Sequence, residues 1–325
     1  MLYVDEIYGE FEIGGVLVDL IESDSIQRLK GVYQGGASAL VSDKWNVTRF
    51  EHSLGVMLLV KQLGGSLEEQ IAALLHDVSH TAFSHVIDHV MENRQENYHE
   101  LIFQRLIEES TIPTILESYG YDYQTILFHI EQWRILERDA PHLCADRVDY
   151  TLRDLYRSRQ VECQDIERFL EDLTIIDGYM HLRTINVAEW FVQIYYQEVL
   201  DYFLHPKNIY AYDQLSKVLR DALDEKVIVE DDFLKRDNEV LELLKRSGNK
   251  DITEMLKSIH KDIQVVTVDD NFDIYIKMKP RLIDPDIIIG DEVIPVSHVS
   301  TKAQQMNNYA KERAEKGTGI RIIQS

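Results

Sequence analysis

Residues 46–88, NVTRFEHSLGVMLLVKQLGGSLEEQIAALLHDVSHTAFSHVID, carry His52, the adjacent pair His76 and Asp77, and then His80 and His85 within nine residues of His76. A second acidic cluster, ADRVDYTLRD, lies at 145–154. Imidazole and carboxylate together suit borderline to hard divalent ions such as Mn, Fe, Zn or Mg, and the ligands of such a site are drawn from separate elements that the fold brings together. The His-Asp pair directly follows the apolar run IAALL. A carboxylate in such surroundings needs a partner to offset its desolvation, and a metal ion is the partner that these residues point to.

The elements that must position these groups read as helices. Residues 1–16 alternate weakly and contain glycines, which predicts a short hairpin or extended arm. VLVDLIESDSIQRLKGVYQ has helical spacing with a break at SDS that can cap a second helix, and Gln34, Gly35 and Gly36 open a loop. A helix is expected from about Glu51, with His52 in its first turn, ended by Gly64 and Gly65. Ser66 starts the next one, which delivers His76 and Asp77 at its carboxyl end. A further amphipathic helix begins near Glu96 with His99 and Glu100 early in it, and 111–138 is expected to be mostly helical. Asp146, Asp149, Tyr150 and Arg153 recur at three- and four-residue steps and share one side of a helix. More helices are expected over 166–173, 187–203 and 212–225. From Glu230 a charged helical segment leads to IQVVTV and DIYIKMK, which read as strands. A further β pair is punctuated by Pro280, Pro285, Gly290 and Pro295, and the tail reads as a short helix and an extended end. The fold class is mainly α, with a helical domain over 1–225 and a small α+β region over 226–325.

The formal charge of -23 argues against duplex nucleic acid or membrane as a main partner, because such a surface repels phosphate. A small phosphorylated substrate stays compatible, since a divalent ion and a few local cations offset the field inside a pocket. Two cysteines, Cys144 and Cys163, give neither a disulfide framework nor a zinc ribbon. The start, MLYVDEIYGEF, carries acid where a signal peptide carries base, and no apolar run approaches the ~20 residues of a membrane span, so a cytoplasmic protein is expected.

RFEHSLGV, LLHDVSHTAFSH and ADRVDYTLRD together resemble the HD-domain metal phosphohydrolases, in the branch that contains the deoxynucleoside triphosphate triphosphohydrolases. The resemblance covers residues 1–154 and thins out beyond. It implies an HD-type helical core and metal ligands His52, His76, Asp77 and Asp146 for one divalent ion among Mn, Mg, Fe, Co or Zn. Each of these residues taken singly is equally an ordinary polar residue near a core; the four in order are not. His80, His85 and Asp88 follow the family's pattern as HDVSHTAFSHVID. The implied roles are His85 protonating the leaving oxygen and Asp88 orienting it, with a second-metal role for His80 or His85 as the alternative. His99 and Glu100 match the later pair of that cluster, or begin a surface helix.

The resemblance also implies a nucleotide substrate. Arg49 and Arg147 would contact phosphate, the alternative for Arg147 being a salt bridge to Asp149 or a helix cap. Gln34, Tyr150 and Asp154 would hold the deoxyribose; a core position for Tyr150 and a pair with Arg153 for Asp154 are the alternatives. His89 matches no motif, and Tyr195, Tyr196, Tyr202 and Phe203 read as core. One departure stands out. The family's later arginine for the outer phosphates has no counterpart in WFVQIYYQEVLDYFLHPKN, where Lys207 is the loose substitute. The expected activity is hydrolysis of a deoxynucleoside triphosphate to nucleoside and triphosphate by a homo-oligomer, with a smaller phosphorylated substrate or a non-catalytic nucleotide sensor as alternatives.

Overall fold

The chain is described from a computed structural model over residues 1–277 and 279–324. It opens with an antiparallel hairpin of β1 (Leu2–Asp5) and β2 (Gly9–Glu12), followed by α1 (Val16–Ile21) and α2 (Asp24–Arg28); the break falls at SDS as expected, but the Ser23 hydroxyl donates back to the Leu20 carbonyl and does not cap α2. The core helix is α3 (Arg49–Gln62). Thr48 caps it through a capping box with Glu51, and every residue from 52 to 60 is buried, so this helix is enclosed on all sides. Ser66 caps α4 (Leu67–Leu75), which ends directly before His76.

Residues 76–85 are irregular. They lead to α5 (Val86–Val90), α6 (Tyr98–Glu108), α7 (Ile112–Ser118) and α8 (Tyr123–Leu127). The helix expected over 111–138 therefore stops early: beyond α8 only a 3-10 turn, Ile130–Gln132, remains. Side chains satisfy the backbone there. The buried Glu69 carboxylate accepts the N–H groups of Ile135 and Leu136, and Pro141 has no N–H to continue a helix.

Helices α9 (Ala145–Arg157) and α10 (Cys163–Asp172) precede a hairpin, β3 (Leu173–Ile176) and β4 (Tyr179–Leu182), turning at Asp177-Gly178. The sequence reading passed over this hairpin, although Asp-Gly between β-branched runs is its usual signal. Then come α11 (Ile185–Tyr196), a π-helical turn over Gln197–Tyr202, and α12 (Pro206–Asp224). The remaining elements are α13 (Asp237–Arg246), α14 (Lys250–Ser258), β5 (Gln264–Val268), β6 (Ile274–Ile276), β7 (Asp286–Ile289), β8 (Glu292–Pro295), α15 (Thr301–Lys316) and β9 (Thr318–Gln324). The fold is mainly α, as the sequence predicts.

Residues after 225 are divided between two apolar cores. Strands β7 and β8 extend the β3–β4 sheet through a parallel β4–β7 contact, and Ile283, Ile287, Ala303 and Ala310 join the core built around α3. The second core gathers α12, α13 and α14 with the sheet β5-β9-β6, and it takes in Ala37, Phe83 and Ile87 from the first half. The tail expected to be extended is the middle strand of that sheet. Asp237 ties the halves together by accepting the N–H groups of Tyr33 and Phe83. Phe83 and Ser84 sit at φ 61° and 50°, a conformation that non-glycine residues hold only where surrounding contacts impose it. That turn stands between His80 and His85. Among the described residues no helix is long and apolar enough to cross a membrane.

Candidate metal centre and cavity

Three elements converge at one point: the first turn of α3 supplies His52, the end of α4 supplies His76, and the first turn of α9 supplies Asp146. Ligand atoms of these three lie within 4.8 Å of one another. The Nδ1 of His52 is 2.8 Å from Asp149 Oδ2, which leaves its Nε2 facing Asp146 Oδ1 at 3.0 Å. His76 donates from Nδ1 to the Ala73 carbonyl at 2.7 Å, and its Nε2 is buried without a hydrogen-bond partner. A buried, bare imidazole nitrogen 3.5 Å from a carboxylate oxygen fits a divalent cation, which takes the lone pair that no donor satisfies. Asp77 lies 3.6 Å from both imidazoles, but Arg49 holds its Oδ2 at 2.5 Å and His80 approaches its Oδ1 at 3.2 Å.

The electrostatics favour a cation. Burial works against the charged form of His52, yet the carboxylates of Asp146, Asp149 and Asp77 raise it to about 10. Burial likewise opposes ionisation of Asp146, while the imidazoles of His52 and His76 hold it well below the carboxylate range. A field that keeps a proton on a buried imidazole also draws in a divalent ion. Burial, and then Asp146, pushes the neighbouring Glu137 up to about 7.

Sequence reasoning missed the role of Asp149. It is fully buried between His52 and Arg153, and Arg153 in turn reaches Asp5 at 3.1 Å, so a chain of charge runs from the first strand to the His52 ring. The signal was present: Asp149 lies one turn beyond Asp146 on the same side of α9. Arg147 does not pair with Asp149. Replacing Asp149 with Asn removes the carboxylate that orients His52, and metal affinity is expected to fall by about 10- to 100-fold with the helical content unchanged; metal titration calorimetry beside circular dichroism checks this.

A histidine cluster adjoins the centre. His80 stacks on His99 with ring centroids 3.9 Å apart, and His85 meets both rings edge-on at 4.9 and 5.4 Å. His85 Nδ1 lies 3.1 Å from Asp88 Oδ2. Burial opposes ionisation of Asp88, but His85 and the Tyr98 N–H hold it below its usual value. Burial, aided by Arg49 at His80 and by His85 at His99, lowers both of these imidazoles, His99 to about 4.

Both groups open into one cavity of about 890 Å³. Gln34, Arg49, Glu100, Arg147, Tyr150 and Asp154 also line it. Gln34 has a buried Oε1 without a partner. One Nη of Arg147 donates to the carbonyl oxygens of His142 and Arg138, at 2.6 and 3.3 Å, and the other lies 3.9 Å from the Glu137 carboxylate. Asp154 does not pair with Arg153; burial, reinforced by Asp149, raises it to about 7, and it faces the buried Glu198. Tyr195, Tyr202 and Phe203, read from sequence as core, form cavity wall as well, and so does His89. Tyr196 does pack inside, bonded to Asn307. Lys207 is not among the lining residues and donates to the Lys261 carbonyl. Lys277, Lys279 and Arg281, from the far end of the chain, do line the cavity, and no motif had marked them.

A cavity that carries a His, His, Asp cluster on a helical scaffold is the arrangement of a metal-dependent hydrolase. Over residues 49–155 the sequence matches the HD domain family. YdhJ of Bacillus subtilis, an uncharacterized protein, is 52% identical over 319 residues, 98% of each chain. The metal-dependent phosphohydrolase cns2 of Cordyceps militaris is 33% identical over 297 residues, 88% of this chain and 85% of that protein. The deoxynucleoside triphosphate triphosphohydrolase SAMHD1 of Gallus gallus is 31% identical over 142 residues, 37% of this chain and only 23% of that protein. A solved phosphohydrolase structure from Bacteroides thetaiotaomicron shares the fold, with a TM-score of 0.71 over 98% of both chains at 18% identity. The chain belongs to the HD-domain metal-dependent phosphohydrolases, and its cofactor is a divalent metal ion.

Proposed function

We propose that the chain hydrolyses a deoxynucleoside triphosphate at the α-phosphate, releasing nucleoside and triphosphate. The observation that carries this reading is the shared cavity. Its lining joins the metal cluster and the histidine cluster with the adjoining rings of Tyr150, Tyr195 and Phe203, and its volume suits a nucleotide-sized ligand.

His52, His76, Asp77 and Asp146 hold the ion in this reading. A bound divalent ion supplies Lewis-acid polarisation of a phosphoryl oxygen and makes water more acidic. Arg49, buried and fixed by Ser84 at 3.0 Å, faces the phosphoryl group and neutralises charge that develops there. Attack of water on phosphorus expels the sugar oxygen, which takes a proton from His85 while Asp88 keeps that ring in place. His80 and His99, stacked on each other, pack against one side of that ring. Tyr150 lies under the sugar, and Gln34 and Asp154 offer polar atoms to its hydroxyl. Assembly of the chain into a homo-oligomer in the cytoplasm belongs to the same reading.

One observation favours a smaller phosphate ester instead. Arg147 is tied to carbonyl oxygens, and α11 with its π-helical turn carries no arginine. Product identity separates the two readings. Incubation of deoxynucleoside mono-, di- and triphosphates with Mn, Mg, Fe or Co, followed by ³¹P NMR, is expected to show triphosphate released from the triphosphates. Orthophosphate released from monophosphates alone would select the smaller substrate, and no turnover with any ion would overturn both.

A further inference from the structure

Three cations reach the cavity from the segment between β6 and β7: Lys277, Lys279 and Arg281. In a chain of net charge -23, three cations from one short segment on the wall of one cavity need a reason. The other cations there are already engaged. Arg49 is held by Asp77 and Ser84, Arg138 by Asp286 at 3.0 Å, and Arg147 by backbone carbonyls. Lys277 and Lys279 are exposed and make no ion pair or side-chain hydrogen bond among the described residues.

Arg281 is held differently. One Nη donates to Glu96 at 3.1 Å, the guanidinium lies over the Phe203 ring at 5.5 Å, and its Nε is buried with no partner. Glu96 stands just before α6, the helix that carries His99, so the same contact fixes Arg281 relative to the histidine cluster. A planar guanidinium oriented by a carboxylate and a ring, with one N–H left unsatisfied, is arranged to receive an oxyanion, and the two lysines beside it add charge without rigid geometry.

We propose that Lys277, Lys279 and Arg281 form a second phosphate subsite, which grips phosphate carried by the substrate beyond the phosphorus that is attacked. This rests on the phosphohydrolase reading and deepens it: a subsite at this place selects a di- or triphosphate ester over a monophosphate.

The test compares Arg281→Gln and the double variant Lys277→Ala/Lys279→Ala with the parent chain. Two quantities are read: the ratio of kcat/KM for a nucleoside triphosphate to that for its monophosphate, and the affinity for inorganic tripolyphosphate by calorimetry. Both are expected to fall about tenfold or more in each variant, as for loss of a charge-assisted hydrogen bond, and Lys277→Arg/Lys279→Arg should retain them. The double lysine variant alters exposed side chains, so it reports even if Arg281→Gln fails to fold. Equal loss on mono- and triphosphate, or no loss on either, overturns the subsite while leaving the hydrolase reading intact. Arg281-dependent tripolyphosphate binding by a metal-loaded chain that hydrolyses no ester supports the subsite and overturns the hydrolase reading.

Discussion

Replacing His76 with alanine is expected to remove bound metal and hydrolysis together, with kcat/KM falling about 10³-fold or more. The magnitude follows from the ion's contribution: polarisation of a phosphoryl oxygen is worth several kcal/mol, and each 1.36 kcal/mol is a factor of ten in rate. His76 is the right residue to change because its roles separate cleanly. Its Nδ1 makes one hydrogen bond to the last turn of α4, whereas Nε2 points at Asp146 and bonds to nothing in the protein. The alanine variant should therefore fold, and a thermal unfolding curve matching the metal-stripped parent checks that it does. Metal content by mass spectrometry and turnover of the preferred ester are then measured on the same sample. A variant that keeps full metal stoichiometry, or that loses metal and still turns over, would sink the assignment of the centre.

The second large effect concerns His85. Alanine at this position is expected to lower kcat for a nucleotide by about 10²- to 10⁴-fold, the usual contribution of a positioned acid, with metal content unchanged. Three histidines cluster here, and exposure decides among them. The His85 side chain is 31% exposed to the cavity, whereas that of His80 is 3% exposed and faces Asp77. Burial lowers both His80 and His99, which disfavours a charged ring at either, while His85 opens to the cavity with its Nδ1 3.1 Å from Asp88 Oδ2. A proton donor matters in proportion to the basicity of the leaving oxygen. With a p-nitrophenyl ester, whose phenolate leaves unaided, the His85→Ala loss should shrink to a small fraction of the nucleotide loss. Equal losses on the two substrates would show that His85 acts on something other than the leaving group.

The local code of this chain is strong where neighbours in sequence are neighbours in space. Ser66 starts α4 by a hydrogen bond that spans a single turn and was read directly, whereas Thr48 with Glu51 starts α3 two residues ahead of the expected Glu51. The spacing of Asp146, Asp149, Tyr150 and Arg153 likewise placed them on one helical face, since that depends only on the 3.6-residue period. His52, His76, Asp77, His80, His85 and the acidic cluster at 145–154 stood out by residue type, the choice of Asp146 from that cluster came from the family resemblance, and the structure brings His52, His76 and Asp146 together.

Tertiary structure alone decided what each group faces. That Arg147 turns into backbone carbonyls, that Asp154 meets Glu198, and that Arg153 joins Asp5 to Asp149 are outcomes of packing between elements far apart in the chain. Irregular backbone over 133–144 depends on a carboxylate of α4, which no local pattern announces. The same holds for Lys277, Lys279 and Arg281. They sit in a loop with no motif, and they border the cavity because β6 pairs with the distant β9 on the second core. Composition and periodicity determined a mainly helical chain with an acidic balance, and the His and Asp motifs with their family resemblance pointed to the metal site; long-range packing, which sums many weak contacts that no short window contains, determined the walls of its cavity.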